Sequence, residues 1–136
     1  MTIQSKPKSA ARPPVYVAEA DYERLSDLSR MFHTPGAEFL ADELERAIVV
    51  GPRKAPRDFV RLGSRVTWRD ETSGRTHTAE IVGPDAADID LDRLSVISPV
   101  GAALIGLRPG AALAWAMPDG RPRSVRIESV SAAAGA

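Results

Sequence analysis

Apolar residues recur every three or four positions over residues 19–48, which is the period of an amphipathic helix. The segment MFHTPG interrupts this pattern, and there Thr34 can cap a second helix that Pro35 opens. The spacing therefore predicts two helices of about 12 to 14 residues in a short antiparallel helical hairpin. Each helix has a single apolar stripe, so the hairpin alone is marginally stable and is typical of a coiled-coil arm or a dimerisation element.

From Phe59 onward the period changes to two, which indicates β-strands. We expect a hairpin turn at DETSG and a loop at VGPDAADID, and we expect Ser98-Pro99 to open a short helix that ends at a left-handed Gly106. The predicted strands are RVTWR (65–69), THTAEIV (76–82), LSVI (94–97), ALAWAM (112–117) and RSVRIESV (123–130). The fold class is therefore α+β, a helical hairpin followed by an antiparallel β domain with one short helix.

These patterns divide the chain into five parts. Residues 1–14 lack periodicity and contain three prolines, so we expect a disordered tail. The helical arm spans residues 15–50, and a linker stiffened by Pro52 and Pro56 spans residues 51–60. The β domain spans residues 61–130, and residues 131–136 form a short C-terminal tail.

The distribution of charge argues against direct DNA binding. The 136 residues carry no net charge, but residues 19–48 contain eight acidic and three basic residues. A protein that binds duplex DNA needs a basic face, whereas here the longest helical segment is acidic. The chain has no cysteine, no signal-peptide pattern and no apolar run approaching the about 18 residues of a membrane span. We therefore expect a cytoplasmic protein without membrane attachment.

Candidate chemistry is sparse, so we expect neither an enzyme nor a cofactor. The two histidines, His33 and His77, have no second histidine at metal-ligand spacing and no evident nucleophile. The aspartates at positions 85, 88, 90 and 92 lack the central glycine and terminal glutamate of an EF-hand loop. No phosphate-binding glycine loop is present. Trp68 and Trp115 are expected in the sheet core, and no catalytic or metal-binding residue is assigned.

The order AEIVGPDAAD, LSVISPVGAALIGLRPG and MPDG resembles the C-terminal domain of the bacterial Gre transcript-cleavage factors. It resembles more closely the nucleoside diphosphate kinase regulator family, which shares that domain. The resemblance runs over residues 61–130 and implies an FKBP-like fold, a curved antiparallel sheet around a short helix. It also implies that the partner is RNA polymerase, with the globular domain at the rim of the secondary channel and the helical arm inside it.

The resemblance assigns polymerase docking to the corner formed by Ile97, Ser98, Pro99 and Val100. Relatives carry an acid after the glycine of RPG, where this chain has Ala111, so its affinity is expected to be lower. Gre factors also carry paired carboxylates at the arm tip that help to hold a catalytic metal. Here the tip contains no acid, and the nearest acids are Asp27 and Glu38. The tip residues are Met31, Phe32, His33 and Thr34.

The resemblance therefore predicts a monomeric regulator that docks on RNA polymerase, does not stimulate transcript cleavage and competes with Gre factors. Two other hypotheses stay open. The first is an adaptor that dimerises through the arm and acts independently of polymerase. The second is a prolyl isomerase, which an FKBP-like fold alone supports only weakly because folds host many functions.

Overall fold

A computed structural model describes residues 12–53, 58–116 and 119–132. Most of the predicted N-terminal tail (residues 1–11), part of the predicted linker (54–57), the end of the strand predicted over 112–117 (Met117) and most of the C-terminal tail (133–136) lie outside the described residues. The described elements are β1 (Tyr16–Ala18), α1 (Glu19–Met31), α2 (Pro35–Glu45), β2 (Ile48–Val50), β3 (Arg65–Asp70), β4 (Thr76–Val82), β5 (Arg93–Ser95), α3 (Pro99–Leu104), β6 (Ala112–Ala116) and β7 (Pro122–Ser131).

The two predicted helices are confirmed, and local chemistry explains where they meet. Helix α1 ends at Met31 because Phe32 adopts an extended conformation. The Thr34 hydroxyl oxygen then accepts a hydrogen bond from the Ala37 N–H at 3.2 Å, and Pro35 opens α2. The chain runs out along α1 and back along α2, because the strands on either side of the hairpin are paired with each other.

The pairing of those flanking strands was not predicted. β1 and β2 form a two-stranded parallel sheet in which Tyr16 is paired with Ile48 and Ala18 with Val50. Helix α2 therefore ends at Glu45, and Ile48 belongs to a strand and not to the apolar stripe of the helix. Three residues are too few to show a period of two, and Ile48 also fitted the helical spacing.

The main sheet has five strands, as expected, in the order β5-β4-β3-β7-β6. Neighbouring strands are antiparallel except for β4 and β5, which are parallel, so the prediction of a fully antiparallel sheet is wrong at this edge. Residues 83–92 cause the difference, because two short 3₁₀ turns carry the chain back to the start of the neighbouring strand. A β-bulge between Thr67 and Trp68 adds a local irregularity to the β3–β7 pair.

The helical hairpin and the sheet share one apolar core. Leu25 and Leu28 of α1 and Leu40 and Leu44 of α2 belong to the same buried cluster as the inward side chains of the sheet. Helix α2 lies against α3, which supplies the apolar surface that the isolated hairpin lacks. Trp68 and Trp115 are 6% and 8% exposed, which confirms their expected place in the sheet core.

Candidate docking face

The corner at residues 97–100 is held by two serines. The Ser98 hydroxyl oxygen accepts a hydrogen bond from the Gly101 N–H at 3.0 Å and donates one to the Ser95 carbonyl oxygen at 2.7 Å. The Ser95 hydroxyl in turn accepts from the Ile97 N–H at 3.2 Å. Pro99 occupies the first helical position, where its missing N–H costs nothing. The corner is therefore a rigid transition from β5 to α3.

Close packing of α3 requires small residues at its start. A Cβ atom at Gly101 would lie 2.0 Å from the Ser95 carbonyl oxygen, so only glycine fits there. Gly106 follows the helix with φ of +81°, which confirms the predicted left-handed residue at its end. Residues 101–107 are all buried, and the helix therefore presents only its first turn to the surface.

The first turn of α2, just after the arm tip, lies directly against this corner. A Cβ atom at Gly36 would lie 1.9 Å from the Ile97 carbonyl oxygen and 2.8 Å from the Ser98 carbonyl carbon. The first turn of α2 therefore contacts the backbone of the corner. Ile97, Ser98, Pro99 and Val100 are each half-buried, and the apolar pair Ile97 and Val100 packs against the core.

The sequence gives no local signal for the Gly36 contact, since a glycine in the first turn of a helix has no evident partner. Gly36 and Ile97 are far apart along the chain, and only the packing of α2 on α3 joins them. The structure thus places the first turn of α2, which follows the predicted tip, against the predicted corner.

The tip presents an apolar and neutral surface. Met31 is 67% exposed, Phe32 is half-buried against the core, and His33 and Thr34 are exposed. The nearest acid on α1, Asp27, accepts a hydrogen bond from the Arg30 guanidinium at 2.5 Å. Within the described segments, no group of three or more potential metal-ligating side chains occurs. No described helix is long and apolar enough to cross a bilayer.

Ala111 lies where β6 begins, beside Gly110, whose φ is +89°. Its N–H donates to the Arg108 carbonyl oxygen at 3.0 Å, and its own carbonyl accepts from the Ile127 N–H at 2.9 Å. Both backbone groups are therefore bonded within the domain. Its half-buried side chain packs against the apolar core.

A buried carboxylate, Asp70, holds the β3–β4 turn on the same sheet. Burial raises the pKa of Asp70, but the N–H groups of Ser73 and Thr72 and the Arg123 guanidinium together lower it below its usual range. The Arg123 Nε atom lies 2.9 Å from the Asp70 carboxylate. Because hydrogen bonds within the fold hold this carboxylate, we assign it a structural role.

Comparison with known proteins agrees with this architecture. The family described as "Transcription elongation factor, GreA/GreB, C-term" matches residues 55–132, and the one described as "Rnk N-terminus" matches residues 13–50. The "Regulator of nucleoside diphosphate kinase" of Escherichia coli K12 is 35% identical over 113 residues, which cover 81% of this chain and 83% of that protein. "Transcription elongation factor GreA" of Azorhizobium caulinodans is 35% identical over 111 residues, covering 82% of this chain and 69% of that protein.

A solved structure of a GreA/GreB protein is also similar to this chain. The "Prokaryotic transcription elongation factor GreA/GreB from Nitrosomonas europaea" aligns with a TM-score of 0.68 at 35% identity, covering 88% of this chain and 99% of that one. The named relatives are a regulator and transcription elongation factors rather than enzymes. The chain therefore belongs to the family of the regulator of nucleoside diphosphate kinase, which joins an Rnk-type N-terminal segment to the C-terminal domain of the GreA/GreB elongation factors.

Proposed function

We propose that this chain is a cytoplasmic, monomeric regulator that binds RNA polymerase at the rim of the secondary channel and does not stimulate transcript cleavage. Its contact residues are those of the corner, Ile97 to Val100. One observation carries the proposal: a Gre-type domain with the Ser98-Pro99 corner is joined to a short hairpin whose tip has no carboxylate pair. Such a protein has a means of docking without the acids that cleavage factors use.

The geometry of the hairpin supports the second part of the proposal. Helix α1 has 13 residues and is therefore about 20 Å long. Helix α2 packs along α3, and its first turn contacts the corner at Ile97. The start of α2, which follows the tip, is therefore held against the corner. Carboxylates would be needed to help hold a metal in the polymerase active site, and the tip residues include none.

Competition with Gre factors follows from a shared docking site. Two proteins that bind one site exclude each other in proportion to their concentrations divided by their Kd values. Because the acid of the relatives is replaced by Ala111, this chain is proposed to bind less tightly and to compete only in excess.

We also propose that the sheet is FKBP-like and that the chain is not a prolyl isomerase. An isomerase needs an open apolar pocket for the proline substrate. Here α3 packs on the sheet with Gly101 to Leu104 fully buried, and Phe39 of α2 makes an edge contact with Trp115 at 5.8 Å between ring centroids. These residues are packed in the described core and line no open apolar pocket there that a substrate could use.

The decisive experiment is co-purification of the full chain with core RNA polymerase. Pro99→Glu changes the half-buried first residue of α3, and an acid is favoured in the first turn of a helix. Pro122→Glu makes the same change at the exposed start of β7 and is the matched control. We expect Pro99→Glu to lose polymerase binding and Pro122→Glu to retain it, with unchanged circular dichroism for both.

The second assay uses a backtracked elongation complex. The chain alone should leave transcript cleavage at its intrinsic rate, and in excess it should slow cleavage stimulated by a Gre factor. Equal recovery of polymerase by folded Pro99→Glu would contradict the docking site. Acceleration of cleavage by the chain alone would show that Asp27 or Glu38 reaches the metal. Sedimentation as a dimer, with no polymerase recovered, would favour the adaptor hypothesis.

A further inference from the structure

A groove of about 810 Å³ runs between α1 and the segment that follows β4. Its apolar surface comes from Leu28, Met31 and Phe32 on one side and from Pro84 on the other. The volume is in the range of sites that take a drug-sized ligand or a short peptide face. Met31 is 67% exposed here, and its flexible thioether can adapt to an incoming apolar surface.

The rim of the groove is acidic. Glu23, Asp27 and Asp85 line it together with Arg24, whose guanidinium lies 3.8 Å from the Asp85 carboxylate. The Arg30 guanidinium also pairs with Asp27, at 2.5 Å. Both ion pairs join exposed side chains and are therefore weak, and three carboxylates face two guanidinium groups. The excess of carboxylates disfavours an anionic ligand such as a nucleotide or a nucleic acid.

The segment that follows Pro84 and Asp85 along the chain, residues 86–92, has the same acidic and apolar character. Ile89 is 88% exposed and Leu91 is 56% exposed, and they alternate with the aspartates at positions 88, 90 and 92. Together with Met31, they are the three most exposed large apolar side chains in the described parts of the chain. Apolar side chains left in water within a charged rim are typical of a protein interaction site.

We propose that this groove binds a basic amphipathic helix of a partner protein. The apolar floor accepts one stripe of the helix, spaced at positions i, i+3, i+4 and i+7, and the carboxylates of the rim face its flanking lysines and arginines. Charge complementarity selects this partner, because an acidic helix would place like charges opposite Glu23, Asp27 and Asp85. The groove residues are separate from the corner at 97–100, so this proposal does not depend on polymerase docking.

The probe is a synthetic peptide of about four helical turns with a leucine stripe flanked by lysines, compared with one in which glutamates replace the lysines. The full-length chain carries a ¹³C label on its methionine methyl groups, and Met31→Leu assigns the Met31 signal. We expect the basic peptide to shift the Met31 signal to saturation and the acidic peptide to leave it unchanged. Binding should weaken as salt is raised.

Glu23→Lys should weaken binding of the basic peptide about tenfold, because an attraction at the rim becomes a repulsion. Glu128→Lys makes the same charge change on the exposed face of β7 and is the matched control, with an expected change below about twofold. Both side chains are exposed, so neither variant is expected to disturb folding.

Four outcomes would overturn the proposal. The first is a Met31 signal that does not respond to the basic peptide, and the second is equal binding of both peptides. Glu128→Lys could also weaken binding as much as Glu23→Lys, which would mean a general charge effect. Finally, the basic N-terminal residues Lys6 and Lys8 offer an occupant within the chain. If replacing both with glutamate shifts Met31 without peptide, the groove is filled by this chain's own segment. Normal polymerase co-purification in any of these cases would leave the proposed function standing.

Discussion

Replacement of Gly36 by alanine should separate the hairpin from the corner. The added Cβ would lie 1.9 Å from the Ile97 carbonyl oxygen, whereas ordinary contact begins at 3.4 Å. Relief of the clash requires the first turn of α2 to move by roughly 1.5 Å relative to the corner. The atoms that it meets are backbone atoms already fixed by the serine hydrogen bonds of the corner, so no side-chain rotation relieves it.

Two opposing effects determine how much Gly36→Ala changes the free energy of unfolding. Overpacking of this kind costs about 1–3 kcal/mol, and backbone contacts place it at the upper end. Removal of a glycine from a helix returns about 0.5–1 kcal/mol, because alanine loses less conformational entropy on folding. The expected net loss is about 2 kcal/mol in the free energy of unfolding. For a chain of this length that corresponds to a fall of about 6–8 °C in Tm.

Urea unfolding of the full chain measures this loss, and Gly51→Ala provides the matched control. Gly51 has an ordinary φ, and an added Cβ there would meet nothing within 4 Å. The free energy of unfolding of Gly51→Ala should differ from that of the wild type by less than about 0.5 kcal/mol. Amide NMR signals of Ile97, Ser98 and Val100 should shift in Gly36→Ala alone; Pro99 has no N–H. A Gly36→Ala protein as stable as Gly51→Ala, with unshifted corner signals, would refute the contact.

Two further predictions concern stability. Ser98→Ala removes the acceptor for the Gly101 N–H and should lower the free energy of unfolding in urea by about 1 kcal/mol. Ser129→Ala, at an exposed position of β7, should leave it almost unchanged. Equal losses in the two variants would mean that the cap is unimportant. The pKa of Asp70 is lowered in the fold, so its carboxylate stabilises the protein above the unfolded value of about 3.9, and this stability is lost as pH falls through the lower folded value. Asp70→Asn should therefore lose less stability than the wild type between about pH 5 and 2; identical pH profiles would contradict this role.

Local chemistry explains which parts of the fold the sequence predicts well. Thr34 with Pro35, Ser98 with Pro99, and Gly106 each determine a helix end through bonds or backbone angles within a few residues. All the residues that make such a signal lie within a few positions of each other in the sequence. These helix ends therefore lie where they were expected. The strand pair β3–β4 is predicted for the same reason, because one tight turn at Gly74 joins its members.

Contacts between distant segments carry no comparable signal. The three-residue pairing of β1 with β2 joins residues about thirty positions apart, and no periodicity marks it. The parallel pairing of β4 with β5 depends on the path of residues 83–92, which turn composition alone does not determine. The groove likewise exists only because α1 lies beside Pro84 and Asp85. The sequence therefore predicts the corner, but it predicts neither the contact of α2 with the corner nor the groove beside α1.

The contact between α2 and the corner changes what the short hairpin means for function. A hairpin that projected freely from the domain would act through its tip alone. Its length would then decide what the tip could reach. Here Gly36 of α2 and Ile97 of the corner are in contact, so we expect a change in either segment to affect the other. Substitutions at Gly36 and at Ile97 should therefore not add independently in polymerase binding, since residues that share a contact are coupled. In the proposed function, the hairpin then supports the proposed docking surface from behind, and the absence of a carboxylate pair at its tip is consistent with that role.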